Sequence, residues 1–357
     1  MIEAGIEIIR TQASRLKKET LDNPGFGSIF SDHMFSLDYS EGGWRQPRVM
    51  PFGTFEVSPA LTCLHYGQAI FEGLKAFYTK DGSINIFRPE TYHARMNRSA
   101  KRLCIPEMSY EIFSAGLTEL IKLDREWIPK KKGFSLYIRP FIFATDNFLG
   151  VRVSETYKFY IITSPVGAYY KEGINPVKLT TSGEFVRAVR GGLGSAKTPA
   201  NYAASLLPAD EAKKKGFSQV LWLDAIERRY IEEVGTMNIF FLIGDELVTP
   251  SLEGSVLSGV TRDSVICLAK DWGVKITERK ISIDEVFKAS REGRLKEVFG
   301  TGTAAVISPV GEIQHGGDNL IINDGNIGPF SQKMYDTITG IQYGELADRF
   351  GWCYTIK

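Results

Sequence analysis

Strand-like and helix-like patterns fill both halves of this chain, yet no regular strand–helix–strand rhythm runs through either half. A doubly wound parallel sheet needs that alternation, so the pattern points to two α+β domains instead. Length agrees, because 357 residues exceed the roughly 250 to 300 at which single cores stop growing. Residues 1–166 read as a small N-terminal α+β domain and 177–357 as a larger C-terminal one. The Gly-, Pro- and Tyr-bearing stretch 167–176, GAYYKEGINP, joins them.

Within the first half, residues 1–60 look like an extended flap with a short strand at Met34 to Asp38. The strand INIF leads to a helix opening near Pro89, with Tyr92, Met96, Ala100 and Leu103 at helical spacing. A second helix is expected from Tyr110 to Trp127, then the strands FSLYIRPFIFA and TYKFYIITSPV. In the second half a helix is expected from Tyr202 to Lys215, and Gly244-Asp245 should turn a hairpin between NIFFL and LVTP. Further helices should open at SGVTRD and near Ile283, and a strand EVFG should precede a loop GTGTAAV.

Composition excludes several functions. With 43 Lys and Arg against 42 Asp and Glu, the chain has no net field to attract nucleic acid or an anionic membrane. No segment approaches the ~20 apolar residues of a membrane span, and the start lacks a signal-peptide core. Four cysteines, Cys63, Cys104, Cys267 and Cys353, show neither C-x-x-C pairing nor metal-ligand spacing, and the four histidines form no metal set. A reduced, cytoplasmic protein without a metal is expected.

Chemistry concentrates at a few places. Lys197 in GGLGSAKTPANY lies among Gly, Ala and Ser, with no charge nearer than Arg190 and Asp210. An amine that forms a Schiff base must lose its proton, which favours such a water-poor setting, although this stretch alone reads more readily as a surface loop lysine. Glu233 in IEEVGTMNIFF enters an apolar strand, where a carboxylate needs a cation partner. A protonated pyridine nitrogen would serve, and so would plain exposure to water, as expected for Glu232. The SGVTRD turn opens a helix whose first N–H groups suit a phosphate, or simply a cap from Ser258 or Thr261.

In their order along the chain, FSDHM, HYGQAIFEGLKAF, FRPETYHARM, LYIRP, FLGV, SPVGAYY, GSAKTPANY, EEVGTMNIFF, SGVTRD and FGTGTAAVISPVG resemble the branched-chain aminotransferases. These are fold type IV enzymes that use pyridoxal 5'-phosphate. The resemblance implies transamination of leucine, isoleucine and valine with 2-oxoglutarate, with Lys197 carrying the cofactor as a Schiff base. It assigns Tyr202 to the phenolic oxygen, Glu233 to the pyridine nitrogen, and Arg95, Val260, Thr261 and Thr303 to the phosphate. It places Phe30, Tyr66, Phe71, Tyr137, Tyr169 and Thr236 in the substrate pocket, with Arg139 and Ala304 steering carboxylates. Leu149 and Val151 resemble a loop lent by a neighbouring subunit, implying a homodimer. Animal members carry a C-x-x-C pair where this chain has Ala305 and Ser308, so that thiol control should be missing here. Other readings are a D-amino-acid aminotransferase or aminodeoxychorismate lyase of the same fold, or a pyridoxal-phosphate binder without catalysis.

Overall fold

A computed structural model describes residues 5–167 and 175–357, which form two compact units. The first comprises Met1–Lys171, Ala196–Pro199 and Gly340–Lys357, and the second Glu172–Ser195 and Ala200–Thr339. The first unit therefore takes two pieces that sequence order placed in the C-terminal domain. For one of them the reason is a strand pairing: Cys353–Ile356 lies antiparallel to Ile84–Phe87.

In the first unit, strands run in the spatial order Glu7–Ile8, Gly43–Pro51, His33–Ser40, Tyr157–Val166, Ser135–Ala144, Leu74–Tyr78, Ile84–Phe87 and Cys353–Ile356. Ala69–Phe71 also pairs with Ser135–Ala144. Strand residues alternate between faces, so Tyr137 and Arg139 share one half-buried face while Leu136 and Ile138 go into the core.

The helix Pro89–Arg102 starts with Pro at its first turn, where the missing N–H costs nothing, and ends with Lys101 and Arg102, which suit the negative helix end. It buries Tyr92, Met96 and Ala100. Ser109 caps Tyr110–Leu123 by accepting from the Ile112 N–H at 3.4 Å. Phe113, Leu117, Leu120 and Ile121 face inward, each burial contributing about 1.5–3 kcal/mol. Gly116 lets this helix approach the sheet, because a Cβ there would overlap the Phe35 ring.

That helix stops at Leu123 rather than continuing to Trp127. Asp124 accepts from the His33 N–H at 2.9 Å and sits 2.6 Å from its Nδ1, and Trp127 turns its Nε1 onto Asp32 at 2.9 Å.

The second unit's sheet runs Ile231–Val234, Gln219–Leu223, Val177–Thr181, Val306–His315, Leu295–Gly302, Asn238–Ile243, Glu246–Thr249 and Lys275–Glu278. Phe240 and Phe299 stack at 5.3 Å in its core. Gly244, at φ +60°, turns the hairpin as its sequence demands. The single helix expected from Tyr202 to Lys215 is two, Pro199–Ala204 and Leu206–Lys214. Pro208 cannot donate to the carbonyl four residues earlier, which breaks the run there. The strand expected as EVFG extends to Gly302, leaving only Thr303 to Ala305 as the turn before Val306–His315. The helices Val260–Asp271 and Ile283–Arg291 form where expected, the second capped by Ser282, which accepts from the Glu285 N–H.

Candidate active site

Lys197 lies in the first unit, strapped by its backbone. Its N–H donates to Ser99 Oγ at 2.9 Å, and its carbonyl accepts from the Phe71 N–H at 3.1 Å. Next door, Thr198 Oγ1 donates to the Ala69 carbonyl at 2.9 Å. The lysine ammonium sits 4.9 Å over the Phe71 ring. Burial, and after it the Arg95 charge, push the Lys197 amine down to about 8. Near neutral pH a usable share of it is unprotonated, which a nucleophilic amine requires.

Arg95 makes a two-point pair with Glu72, Nε to Oε1 at 2.8 Å and Nη2 to Oε2 at 2.7 Å. The two side chains are 5% and 0% exposed, so the pair is dry. Around them, Arg139 lies 4.8 Å over Phe71 and 5.3 Å over Tyr137, and donates to the Tyr137 hydroxyl at 3.1 Å. Gly73 makes room for that hydroxyl, which a Cβ there would overlap.

The ring edge-on to Tyr137, at 5.2 Å, is Phe26. Phe30 instead stacks on Phe52 at 4.8 Å. Tyr66 is exposed and donates to the Leu149 carbonyl, while Leu149 and Val151 are 63% and 83% exposed. Tyr169 lies outside the described residues.

In the second unit Glu233 is buried on the strand Ile231–Val234. Its cation partner within the chain is Arg187, whose Nε faces Oε2; Asn238 Nδ2 donates to Oε1 at 3.0 Å. Asn238 is itself fixed by a second bond to the Leu257 carbonyl at 2.8 Å. Tyr202 and Thr236 line one cavity with Glu233, Arg187 and Asn201. Glu232 does not face water as expected: Ser255 Oγ donates to it, and burial pushes its carboxyl up.

Val260 and Thr261 open a helix whose N-cap is Gly259, a residue with no side chain to occupy the first amides. A Cβ at Gly259 would overlap Asn238. Thr303 and Ala304 fall in the turn that follows Gly302.

Sequence reasoning missed Glu72, Arg187 and Phe26. Glu72 carried a usable signal, a carboxylate inside the apolar run AIFEGL, the argument already applied to Glu233. Phe26 carried none, since GFGSIF offers two rings four residues apart.

Residues 69–313 match the model of a family described as amino-transferase class IV. Branched-chain-amino-acid aminotransferase 2 of Bacillus subtilis is 55% identical over 349 residues, 97% of this chain and 96% of the relative. The crystal structure of a branched-chain aminotransferase from Thermoproteus uzoniensis, solved with norvaline, superposes with a TM-score of 0.76 at 26% identity, over 91% of this chain and 100% of that one. The branched-chain amino acid aminotransferase of T.th., solved with pyridoxamine 5'-phosphate, gives a TM-score of 0.73 at 28% identity, over 89% of this chain and 97% of that one.

Proposed function

This chain belongs to the class IV amino-transferase family, and from that premise we propose how its residues carry out transamination of branched-chain amino acids. The fold is the family's α+β fold, and pyridoxal 5'-phosphate is the cofactor. The residues present fit that group: a lysine amine pushed down to about 8, an arginine in a dry pair, a buried carboxylate, and a helix start whose N-cap residue is glycine.

When bound, the cofactor supplies an electron sink for the pair of electrons left at the substrate Cα. Lys197 is the residue that holds it covalently and moves the proton from and to Cα. Glu233 would pair with the pyridine nitrogen and keep it protonated, and Tyr202 would donate to the phenolic oxygen. Arg95, the amides of Val260 and Thr261, and Thr303 would hold the phosphate, the arginine supplying positive charge while its Nε and Nη2 face Glu72.

For the substrate side chain we assign Phe71, Tyr137, Tyr66, Phe30 and Thr236, and Tyr169 from outside the described residues. Burying each substrate CH₂ among them contributes about 0.8 kcal/mol, which favours branched aliphatic side chains. Phe26 joins this set, and its edge contact with Tyr137 supports it over Phe30 for the position against that ring. Arg139 and the amide of Ala304 steer carboxylates, and 2-oxoglutarate is the amino acceptor.

The enzyme works in the cytoplasm as a homodimer that takes up Leu149 and Val151 at its interface. Their exposure supports the dimer, and four free cysteines support a reducing compartment. Among the described residues no helix is long and apolar enough to cross a membrane.

The observation that carries this reading is half-buried Lys197, held through its backbone by Ser99 and Phe71 with its amine over the Phe71 ring. Glutamate formation by the purified yellow protein from L-leucine and 2-oxoglutarate tests it, with D-alanine in parallel. Leucine turnover far above D-alanine turnover is expected. A colourless protein, or preference for D-alanine, overturns it.

A further inference from the structure

Glu72 has no role in the scheme above, yet it is fully buried and commits both carboxylate oxygens to one guanidinium. Its Oε2 also accepts from the Gly73 N–H at 3.2 Å. The pair ties the helix Pro89–Arg102 to the residue that directly follows the strand Ala69–Phe71. The same two elements grip Lys197. Ser99, one helical turn past Arg95, accepts the Lys197 N–H, and Phe71, adjacent to Glu72, donates to the Lys197 carbonyl. A helix that slid or rotated against the strand would pull these two bonds apart.

We propose that Glu72 is a positioning residue for Lys197: its two-point pair with Arg95 locks together the helix and strand that hold the lysine backbone, and its charge offsets that of Arg95 at the lysine nitrogen. For its bearing on catalysis the proposal rests on Lys197 being the cofactor-bearing lysine.

The charged and titratable groups acting on the amine include, in order of strength, Arg95, Glu72, Tyr137 and Arg139. Burial and Arg95 lower its proton affinity, and Glu72 is the strongest influence in the other direction. Replacing Glu72 by an uncharged isostere therefore has a sign. Losing the offsetting charge lowers the midpoint further, whereas mere loosening would admit water and raise it toward that of an ordinary lysine.

The test uses the full-length chain freed of cofactor. Trace acetylation with acetic anhydride is run across pH, and labelling of the Lys197 peptide is read by mass spectrometry. For Glu72→Gln the midpoint should fall by about one pH unit, making the amine about fivefold more unprotonated at pH 7. Glu72→Asp, which keeps the charge, should restore the wild-type midpoint. An unmoved midpoint in Glu72→Gln overturns the proposal, because neither the charge nor the lock would then bear on the lysine. Should that variant not fold, Glu72→Asp decides, since a midpoint displaced upward there would show that water rather than charge sets it. No cofactor takes part in the labelling, so a wrong cofactor assignment would show itself separately, as a visible spectrum unchanged by replacing Lys197.

Discussion

Arg187 pairs with Glu233 while both side chains are buried, 9% and 4% exposed. Carbonyls fix the other side of the guanidinium, Gly194 at 3.2 Å and Ser255 more closely. A buried carboxylate thus has its cation before any cofactor arrives. Removing one partner strands a buried charge, which typically costs 3–5 kcal/mol. Arg187→Met should therefore lower the thermal midpoint sharply, and adding Glu233→Gln should recover part of the loss. Calorimetry of the two single variants and the double variant checks this; additive losses would mean the pair is not coupled.

Glu233→Gln should leave the cofactor bound and slow proton removal from Cα, because a neutral amide cannot keep a pyridine nitrogen protonated. The loss should fall on kcat rather than KM and reach at least about tenfold, or 1.4 kcal/mol. Steady-state kinetics with leucine measures it. An unchanged kcat removes Glu233 from the chemistry.

Lys197 should set the pH at which the cofactor-free chain takes up pyridoxal phosphate. Its amine is lowered to about 8, so the reactive, unprotonated form grows from pH 7 to 9 and then levels. Stopped-flow growth of the visible band gives the midpoint. A value near 10.5 would mean an ordinary exposed lysine.

Much of this architecture was legible because the signals were local. TYKFYIITSPV had to be a strand, and Pro89 with Tyr92, Met96 and Ala100 had to open an amphipathic helix. Lys197 stood out by the absence of charge around it. What was illegible came from distant partners. Nothing near Cys353–Ile356 says that it will pair with Ile84–Phe87, so the chain's end was placed with the wrong unit. Glu72 and Arg95 are 23 residues apart, and Arg187 and Glu233 are also far apart, so neither pairing has a periodic signature. The break at Ser205 was readable from Pro208.

Thiol chemistry should not control activity. Burial pushes the Cys63 thiol up and the Cys353 thiol up to about 12, which keeps both from the reactive thiolate form. Cys104 is exposed, because it sits past the helix end with φ +54°. Iodoacetamide should therefore label Cys104 first, without loss of leucine transamination. Mild peroxide should also leave activity intact, and activity lost to peroxide and regained with dithiothreitol would contradict this.

The exposed loop carrying Phe148, Leu149, Val151 and Val153 should be covered in the active protein. Val151→Asp should weaken the proposed homodimer, lowering both sedimentation coefficient and activity on dilution. A fully active monomer at assay concentration would rule out the shared loop.

The half-reaction of Lys197→Ala with leucine bears most directly on the central assignment. Wild-type holoenzyme mixed with excess L-leucine should lose its visible band as the amino group moves to the cofactor, releasing the 2-oxo acid. The alanine variant has no amine to hold the cofactor or carry the Cα proton, and should show no such change within the same interval. A conversion rate within about tenfold of wild type in Lys197→Ala would contradict the account.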